Sequence, residues 1–321
     1  MRSKTLSTGY TMPMLGLGTV GFGEGKTYDA VRAALTAGYR HIDCAMMYDN
    51  ERQIGRAIAD AIREEGIKRS DLFITSKLMN SYHRSEDVRE GLQKTLADLQ
   101  MDHLDLYLMH WPVALKKGVK RPKDAEDFST LEEVPLMETW RALEECFDDG
   151  LANSIGVSNF SFQKLDDLIM EARVAPAVNQ VELHPFMQQN ELRSYCLHNN
   201  IALTGFCPLG RGIPADMTEE RKSDVVLTHP VIEEIAKKHG ATTAQVVLKW
   251  EIQNGVIVIP RSSNPERLAQ NLAALDCHLD EHDMARIAEL NKNSRIATGA
   301  YFFLPGSPYT WENIWDEPRP E

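Results

Sequence analysis

The sequence lacks the marks of a membrane-spanning or disulfide-stabilised protein. No apolar run reaches the roughly 18 residues that a transmembrane helix requires, and the residues after Met1 are polar. The cysteines are odd in number and contain no CxxC pair, which disfavours both disulfides and zinc ligation. We therefore expect a cytoplasmic protein whose thiols are reduced. The five cysteines are Cys44, Cys146, Cys196, Cys207 and Cys277.

Positive charge is also scarce. The chain carries 35 Lys and Arg residues against 47 Asp and Glu residues, for a formal net charge of -12. An acidic protein without a basic face repels phosphate backbones and anionic lipid headgroups, so we expect neither nucleic acid nor membrane as a partner. The composition is otherwise that of a globular protein, with 43% hydrophobic residues among 321, and predicts a sizeable core.

The sequence motifs of common hydrolases are missing. The chain contains no HExxH, no GxSxG and no phosphate-binding P-loop. Peptide, ester and phosphoanhydride hydrolysis therefore lack their usual catalytic residues, and no metal site is predicted.

The chain does contain a regular alternation of short Val-, Ile- and Leu-rich runs with amphipathic stretches, which predicts βα units. No Pro/Gly/Ser-rich linker interrupts it, so we expect one domain over residues 1–321, an α/β protein folded as a single (β/α)8 TIM barrel. The eight predicted strands are Met14–Leu17, Arg40–Asp43, Leu72–Ser76, Leu104–Met109, Ser154–Val157, Ala177–Glu182, Ala202–Phe206 and Val256–Ile259. The predicted helices are Tyr28–Ala37, Glu51–Arg63, Ser85–Gln100, Leu131–Asp148, Phe162–Ala172, Gln189–His198, Val231–Lys238 and Thr243–Gln253.

Two segments lie outside this alternation. Residues 4–13 alternate around a Ser-Thr-Gly turn and predict a hairpin before the first barrel strand. The tail after Ala285–Leu290 is rich in aromatic residues, Tyr301 and Phe302 among them, and poor in helical periodicity. We expect this tail to form a wall of the substrate pocket.

A glycine motif offers a competing fold. Gly16, Gly18 and Gly21 match the dinucleotide fingerprint GxGxxG, and Asp43 follows at a spacing typical of a ribose-binding acid. In a true fingerprint the third glycine opens a helix, whereas the helical pattern here begins only near Thr27. We favour a glycine-rich loop after the first barrel strand, and a Rossmann dehydrogenase is the competing hypothesis.

Polar residues follow the predicted strands, at ends that a barrel brings to one face. Each has an ordinary explanation when taken alone: His110 as a core histidine, or Ser158 and Asn159 as a helix cap. Taken together they favour a site, because buried charges such as Asp43 and Lys77 persist only when paired. The set is Asp43, Lys77, His110, Ser158, Asn159, Gln180 and Arg261.

These residues predict carbonyl chemistry. Tyr48 follows Asp43 closely, and an adjacent Lys77 ammonium is expected to lower the phenol pKa toward the working range. Tyr48 then serves as a general acid, while His110 donates to a substrate carbonyl oxygen. Asp43 holds Lys77 charged and in place. Attack on such a carbonyl by a hydride from a bound cofactor is consistent with this set.

Short stretches distributed along nearly the whole chain carry a family resemblance. They are 12–13 with 16–19, 38–43 with Tyr48, 74–78, 105–112, 155–160, 179–182 with 184–185, and 259–262. On these stretches the chain resembles the aldo-keto reductases. The resemblance implies a TIM barrel that binds NADPH, with NADH as an alternative, and a catalytic tetrad of Tyr48, Asp43, Lys77 and His110. The cofactor contacts that it implies are Ser158, Asn159, Gln180, Phe206, Leu209, Arg261, Ser262, Asn264, Arg267, Gln270 and Asn271.

Departures from the family pattern bear on ligand choice. Val20 stands where a tryptophan is usual, which opens one wall of the pocket. Phe206 replaces a common tyrosine and keeps an aromatic face for the nicotinamide. Arg261 replaces a usual lysine and Gln270 a usual glutamate, so that cationic recognition of a 2′-phosphate remains.

Residues 132–140 and 308–314 look most like those of xylose reductases and plant aldose-6-phosphate reductases. This likeness predicts reduction of an aldose, or of its 6-phosphate, to the alditol. The basic loop after His110 is either a phosphate site at the catalytic face or a solvated charged run. Its cations are Lys116, Lys117, Lys120, Arg121 and Lys123. The predicted substrate pocket consists of Val20, Met47, Trp111, Lys116, Lys117, Tyr301 and Phe302.

Two further interpretations stay open. One is a reductase of generic aldehydes and ketones in the same fold, and the other is a non-catalytic NADPH-binding barrel subunit. The expected partner is a small carbonyl compound, and we expect a monomer or a homodimer.

Overall fold

The computed structural model describes residues 2–23, 25–210, 212 and 223–319. It begins with the predicted hairpin, in which β1 (Ser3–Thr5) pairs antiparallel with β2 (Thr11–Pro13). The hydroxyl groups of Thr8 and Ser154 lie 2.7 Å apart and tie the hairpin to the residues just before a barrel strand. The hairpin, which the sequence predicted, therefore lies at the end of the barrel where the strands begin.

Eight parallel strands form the predicted barrel. The sheet order is β3-β4-β5-β6-β9-β10-β11-β12, and each neighbouring pair is parallel. The ring closes between its first and last strands, because the Gly16 amide donates to the Val258 carbonyl at 2.8 Å and the Val258 amide to Met14 at 3.0 Å. The strands are β3 (Leu17–Gly18), β4 (His41–Asp43), β5 (Phe73–Leu78), β6 (Leu106–Met109), β9 (Ile155–Ser158), β10 (Val178–Glu182), β11 (Ala202–Phe206) and β12 (Ile257–Val258).

The glycines of the first barrel strand allow this closure. A Cβ atom on Gly18 would lie 2.6 Å from the carbonyl oxygen of Ile259, so no larger residue fits there. The helix that follows begins only at Lys26, beyond the third glycine of the motif, Gly21. The Rossmann hypothesis is therefore wrong, because the GxGxxG motif belongs to a closed barrel and its third glycine opens no helix.

Helices follow the strands, and each predicted helix is present. One begins later than predicted, at Leu136 instead of Leu131. Thr130 and Glu133 form a turn in which the Glu133 amide donates to the Thr130 hydroxyl at 3.1 Å, and Pro135 then precedes the helix. Three helices of five to nine residues, Pro265–Ala273, Glu281–Ala288 and Trp311–Trp315, were not predicted, because such short elements show little periodicity. The helices are α1 (Lys26–Ala37), α2 (Glu51–Glu65), α3 (Ser85–Leu99), α4 (Leu136–Asp148), α5 (Phe162–Glu171), α6 (Asn190–His198), α7 (Pro230–His239), α8 (Thr243–Gln253), α9 (Pro265–Ala273), α10 (Glu281–Ala288) and α11 (Trp311–Trp315).

The aromatic tail packs against a second hairpin, β7 (Ala114–Leu115) with β8 (Phe128–Ser129), which the sequence did not predict. The Tyr309 hydroxyl links the two strands, because it accepts a hydrogen bond from the first strand and donates one to the second, each 2.8 Å long. The rings of Trp111 and Phe302 meet edge to face at 5.4 Å. The tail is thereby fixed beside the residues that follow β6.

Two further features of the described residues are the state of the cysteines and the length of the apolar helices. All five cysteines lie among them, and none is in a disulfide. None of the helices described is long and apolar enough to cross a membrane.

Candidate active site

Polar side chains gather at the carboxyl ends of the barrel strands. Asp43 ends β4, and Lys77 lies next to the end of β5. His110 follows β6 directly, and Ser158 ends β9. Because parallel strands in a barrel run the same way, these ends share one face, where a cavity of about 1560 Å³ opens.

A buried ion pair lies at the base of this cavity. The Lys77 ammonium donates to one Asp43 carboxylate oxygen at 2.5 Å and to the Cys44 carbonyl at 2.7 Å. The Gln180 amide donates to the other Asp43 oxygen at 2.7 Å. Both charges are buried, and each has partners that offset the loss of water.

Tyr48 ends a short 3₁₀ turn, Met46–Tyr48, and its ring centre lies 5.1 Å from the Lys77 ammonium nitrogen. Burial raises the pKa of the Tyr48 phenol above its ordinary value, although the Lys77 charge lowers it in part. The expected net lowering of this pKa is therefore wrong, because burial outweighs the ammonium. The phenol consequently keeps its proton at neutral pH, as a proton donor must.

His110 faces Tyr48, and the two rings meet edge to face with centres 5.8 Å apart. Burial, followed by the charge of Lys77, holds the pKa of His110 well below its ordinary value. The imidazole is therefore neutral and has one N–H group that can donate a hydrogen bond. The Asn159 amide donates to the His110 backbone carbonyl at 3.0 Å and so couples the two strand ends.

Asn159 and its neighbours form the next part of the wall. Asn159 has a φ of 62°, in the left-handed region, and its amide also donates to the Ser158 hydroxyl at 3.1 Å. The Ser158 hydroxyl in turn donates to the Gln180 carbonyl at 2.8 Å. Among the residues described, the buried Asn159 Oδ1 atom has no hydrogen-bond partner, so the cavity wall presents an unused acceptor. Phe206 and Leu209 line the cavity as well.

The far end of the cavity is basic and lies next to a helix N-terminus. The Asn264 side chain caps α9 by accepting from the Arg267 amide at 3.0 Å. The Arg261 guanidinium contacts the glycine loop. It donates hydrogen bonds to the backbone carbonyls of Val20, at 3.1 Å, and Gly21, at 2.9 Å. The cavity wall here consists of Arg261, Ser262, Asn264, Arg267, Gln270 and Asn271.

The predicted substrate residues divide into two groups. Val20, Met47, Trp111, Tyr301 and Phe302 line the cavity. Lys116 and Lys117 do not, because both are held in ion pairs on the neighbouring surface. The Lys116 ammonium lies 3.5 Å from Glu133, and Lys117 pairs with Asp87 and, at 2.7 Å, with Glu90.

The start of α2 supports the site and was missed in the sequence. The Asn50 amide donates to the Thr19 carbonyl at 2.9 Å. The Glu51 carboxyl group accepts hydrogen bonds from the Ser76 hydroxyl at 2.5 Å and from the Thr95 hydroxyl at 3.1 Å. Ser76 directly precedes Lys77. Burial raises the pKa of Glu51 to about 7. The sequence signal that could have identified Asn50 and Glu51 is their position directly after the turn that ends at Tyr48.

One group of potential metal ligands occurs among the described residues, away from this cavity, at Asp280, His282 and Asp283. The Lys238 ammonium already pairs with Asp280 at 2.6 Å and with Asp283 at 2.9 Å. The group is therefore an ion-pair cluster at the start of α10.

Comparison with known proteins agrees with this geometry. The model of the aldo/keto reductase family matches residues 14–292. Aldo/keto reductase slr0942 of Synechocystis sp. is 45% identical over 317 residues, which are 99% of this chain and 97% of that protein. Aldo-keto reductase family 1 member A1 of Xenopus tropicalis is 44% identical over 91% of this chain and 89% of its own. The structure of the aldose reductase from Schistosoma japonicum superposes with a TM-score of 0.86 at 35% identity, covering 94% of this chain and 96% of that one.

Proposed function

The chain belongs to the aldo/keto reductase family and is an oxidoreductase, and from this premise we propose that it uses NADPH to reduce an aldose or aldose 6-phosphate to the alditol. The observation that carries the proposal is the meeting of Tyr48, His110 and the Lys77–Asp43 pair at one end of a single cavity. A proton donor, a carbonyl-orienting donor and a fixed positive charge are the groups that carbonyl reduction requires.

The residues around the cavity fit a nicotinamide cofactor. The unpartnered Asn159 Oδ1 suits the amide hydrogens of a carboxamide, and Phe206 offers an aromatic face for stacking. Arg261 and Arg267 suit a phosphate at the other end, beside the N-terminus of α9. When bound, NADPH supplies the hydride that the carbonyl carbon accepts.

Tyr48 carries the proton in this proposal. Its raised pKa keeps the phenol protonated until the substrate oxygen becomes basic. The phenol then donates its proton to that oxygen, and the Lys77 ammonium stabilises the phenolate that remains. The neutral His110 imidazole donates a hydrogen bond to the same oxygen and orients the carbonyl.

A sugar substrate is supported by the open wall at Val20 and by the aromatic wall of Trp111 and Tyr301. The Schistosoma japonicum relative is named an aldose reductase, which supports the same class. Members of the family reduce small-molecule carbonyls, so generic aldehydes are the broader class against which sugars are tested.

The test is a panel of aldoses, aldose 6-phosphates and simple aldehydes, each assayed with NADPH and with NADH by loss of nicotinamide absorbance. We expect turnover with NADPH and, when the sugar concentration is counted as open-chain aldehyde, higher kcat/KM for sugars than for simple aldehydes of equal length. Turnover confined to simple aldehydes would reject the sugar assignment. NADPH binding without turnover of any carbonyl would support the non-catalytic subunit.

The unpaired cysteines support a reducing compartment, so the proposed location is the cytoplasm. A monomer or a homodimer is proposed for the oligomeric state, which analytical ultracentrifugation measures directly.

A further inference from the structure

The cavity has a charge opposite to that of the protein. Among the described residues that line it, five are cationic, and Asp43 is the one carboxylate. That carboxylate is already paired with the buried Lys77. The chain as a whole carries a net charge of -12. A cationic cavity in an acidic protein concentrates anionic ligands. The five cations are Lys26, Lys120, Arg121, Arg261 and Arg267.

Two of these cations belong to the loop between β7 and β8. Lys120 forms an ion pair with the Asp49 carboxylate, at 3.3 Å. Lys116 and Lys117 of the same loop are also paired and lie outside the cavity. In the part of the chain that the structure describes, no ion pair involves Arg121, so its charge is left for a ligand of the cavity.

Arg121 lies at the catalytic end of the cavity, because its neighbour Lys120 pairs at 3.3 Å with Asp49, the residue after Tyr48. Burial and the nearby Tyr48 raise the pKa of Tyr301, whereas Arg121 lowers it. The Tyr301 phenol is therefore within electrostatic range of both the proton donor and the guanidinium. Its ring also packs edge to face on Trp111, with centres 6.0 Å apart. Tyr48, Tyr301 and Arg121 line the same cavity, so a substrate whose carbonyl lies at Tyr48 has Arg121 available to its remote end.

The cavity wall also offers apolar surface to the remainder of a substrate. The large apolar side chains Val20 and Tyr301 are each nearly half exposed at the cavity, at 49% and 46%. Trp111 continues this apolar wall. Because a planar guanidinium binds carboxylate and phosphate oxygens in a bidentate manner, Arg121 is suited to the charged end of a substrate.

We infer that Arg121 is a specificity-determining residue that binds an anionic group, phosphate or carboxylate, at the end of the substrate remote from the carbonyl. This inference rests on the proposed reductase function. Within the basic loop that the sequence offered either as a phosphate site or as a solvated run, it assigns anion recognition to Arg121, which lines the cavity, and not to Lys116 and Lys117, which do not.

The test compares Arg121→Ala with wild type on D-glucose, D-glucuronate and D-glucose 6-phosphate, with NADPH at low salt. Each substrate is judged by the ratio of variant to wild type, so differences in open-chain fraction cancel. We expect kcat/KM for the anionic sugars to fall about tenfold or more through KM, since a charge-assisted contact is lost. Glucose should change less than twofold. Lys123→Ala is the control, because it removes an exposed cation two residues away that lies outside the cavity. It should leave kcat/KM for all three sugars unchanged.

A second readout separates this inference from the reductase proposal. Titration calorimetry on protein loaded with NADP⁺ measures the Kd of glucose 6-phosphate and of glucuronate without turnover. Weaker binding of either anion in Arg121→Ala supports the inference, and the affected anion identifies the charged group. Equal Kd and kcat/KM in the variant and wild type for both anions would overturn it, while glucose turnover would leave the reductase proposal intact. Arg121-dependent binding without turnover of any sugar would overturn the reductase proposal alone.

Discussion

The Lys77 ammonium and the Asp43 carboxylate form an ion pair of 2.5 Å with both side chains buried. The pair fixes the ammonium beside the ring of Tyr48, 5.1 Å from the ring centre. Burial opposes the charge on Lys77, but Asp43, together with Tyr48 and Cys44, more than offsets this, and the pKa of Lys77 lies above its ordinary value. The site therefore holds a permanent positive charge next to the proposed proton donor.

Replacing Lys77 with Met should damage both stability and catalysis. It leaves Asp43 as an unpaired buried charge, at a cost of about 3–5 kcal/mol in the free energy of unfolding. It also removes the charge that stabilises the Tyr48 phenolate, so kcat should fall by at least about a hundredfold. Urea unfolding and steady-state kinetics measure the two effects.

The double variant Asp43→Asn/Lys77→Met is the control for this substitution. It removes both charges, so most of the lost stability should return, while kcat stays low. A Lys77→Met protein with kcat within tenfold of wild type would show that Lys77 is only a structural partner of Asp43.

Glu51 should make stability depend on pH. Burial raises the pKa of its carboxyl to about 7 from an ordinary 4.5, so the folded protein prefers the protonated form. The Glu51 contribution is fully present below about pH 4.5 and is lost as pH rises toward 7, a change of roughly 3 kcal/mol. Once the pH is above this pKa, the Glu51 contribution to the free energy of unfolding stays constant.

The matched variant is Glu51→Gln, a neutral mimic of the protonated side chain. Between pH 5 and 8 the free energy of unfolding of wild type should fall relative to that of this variant, as measured by urea unfolding at each pH. Parallel pH dependence of the two proteins would mean that Glu51 is ionised in the folded state throughout this range.

Arg261 and Arg267 should determine the choice between NADPH and NADH. Each contact to a 2′-phosphate is worth about 1.5–3 kcal/mol, or roughly ten- to a hundredfold in Kd. Alanine at either position should weaken the binding of NADPH by this factor. The binding of NADH should weaken by less than twofold, because NADH has no such phosphate. Fluorescence titration measures both constants, with Arg141→Ala on the surface of α4 as the control. Equal kcat/KM for the two cofactors in wild type would contradict the preference.

The barrel strands could be predicted because each is a short apolar run at a regular interval, and barrel geometry then brings their polar ends together. The hairpin of β7 and β8 could not, since its two short strands lie outside that regular alternation. The start of α4 was misplaced because the turn at Thr130 is formed by a side-chain hydrogen bond that periodicity does not reveal.

Residues of the candidate site were predictable where strand position alone selects them, as at Asp43 and His110. The support given by Glu51 was not, because it depends on Thr95, 44 residues away on another helix. The pairing of Lys117 with Glu90 of α3 was hidden for the same reason. The net direction of the Tyr48 pKa depends on burial, which the order of residues does not give.

The substitution Tyr48→Phe tests the central claim most directly, because it removes one hydroxyl and keeps the ring. Aldehyde-dependent oxidation of NADPH should fall by about two to four orders of magnitude in kcat, while the Kd for NADPH, measured by fluorescence, stays within twofold of wild type. Turnover retained within tenfold of wild type would contradict the assignment of Tyr48 as the proton donor.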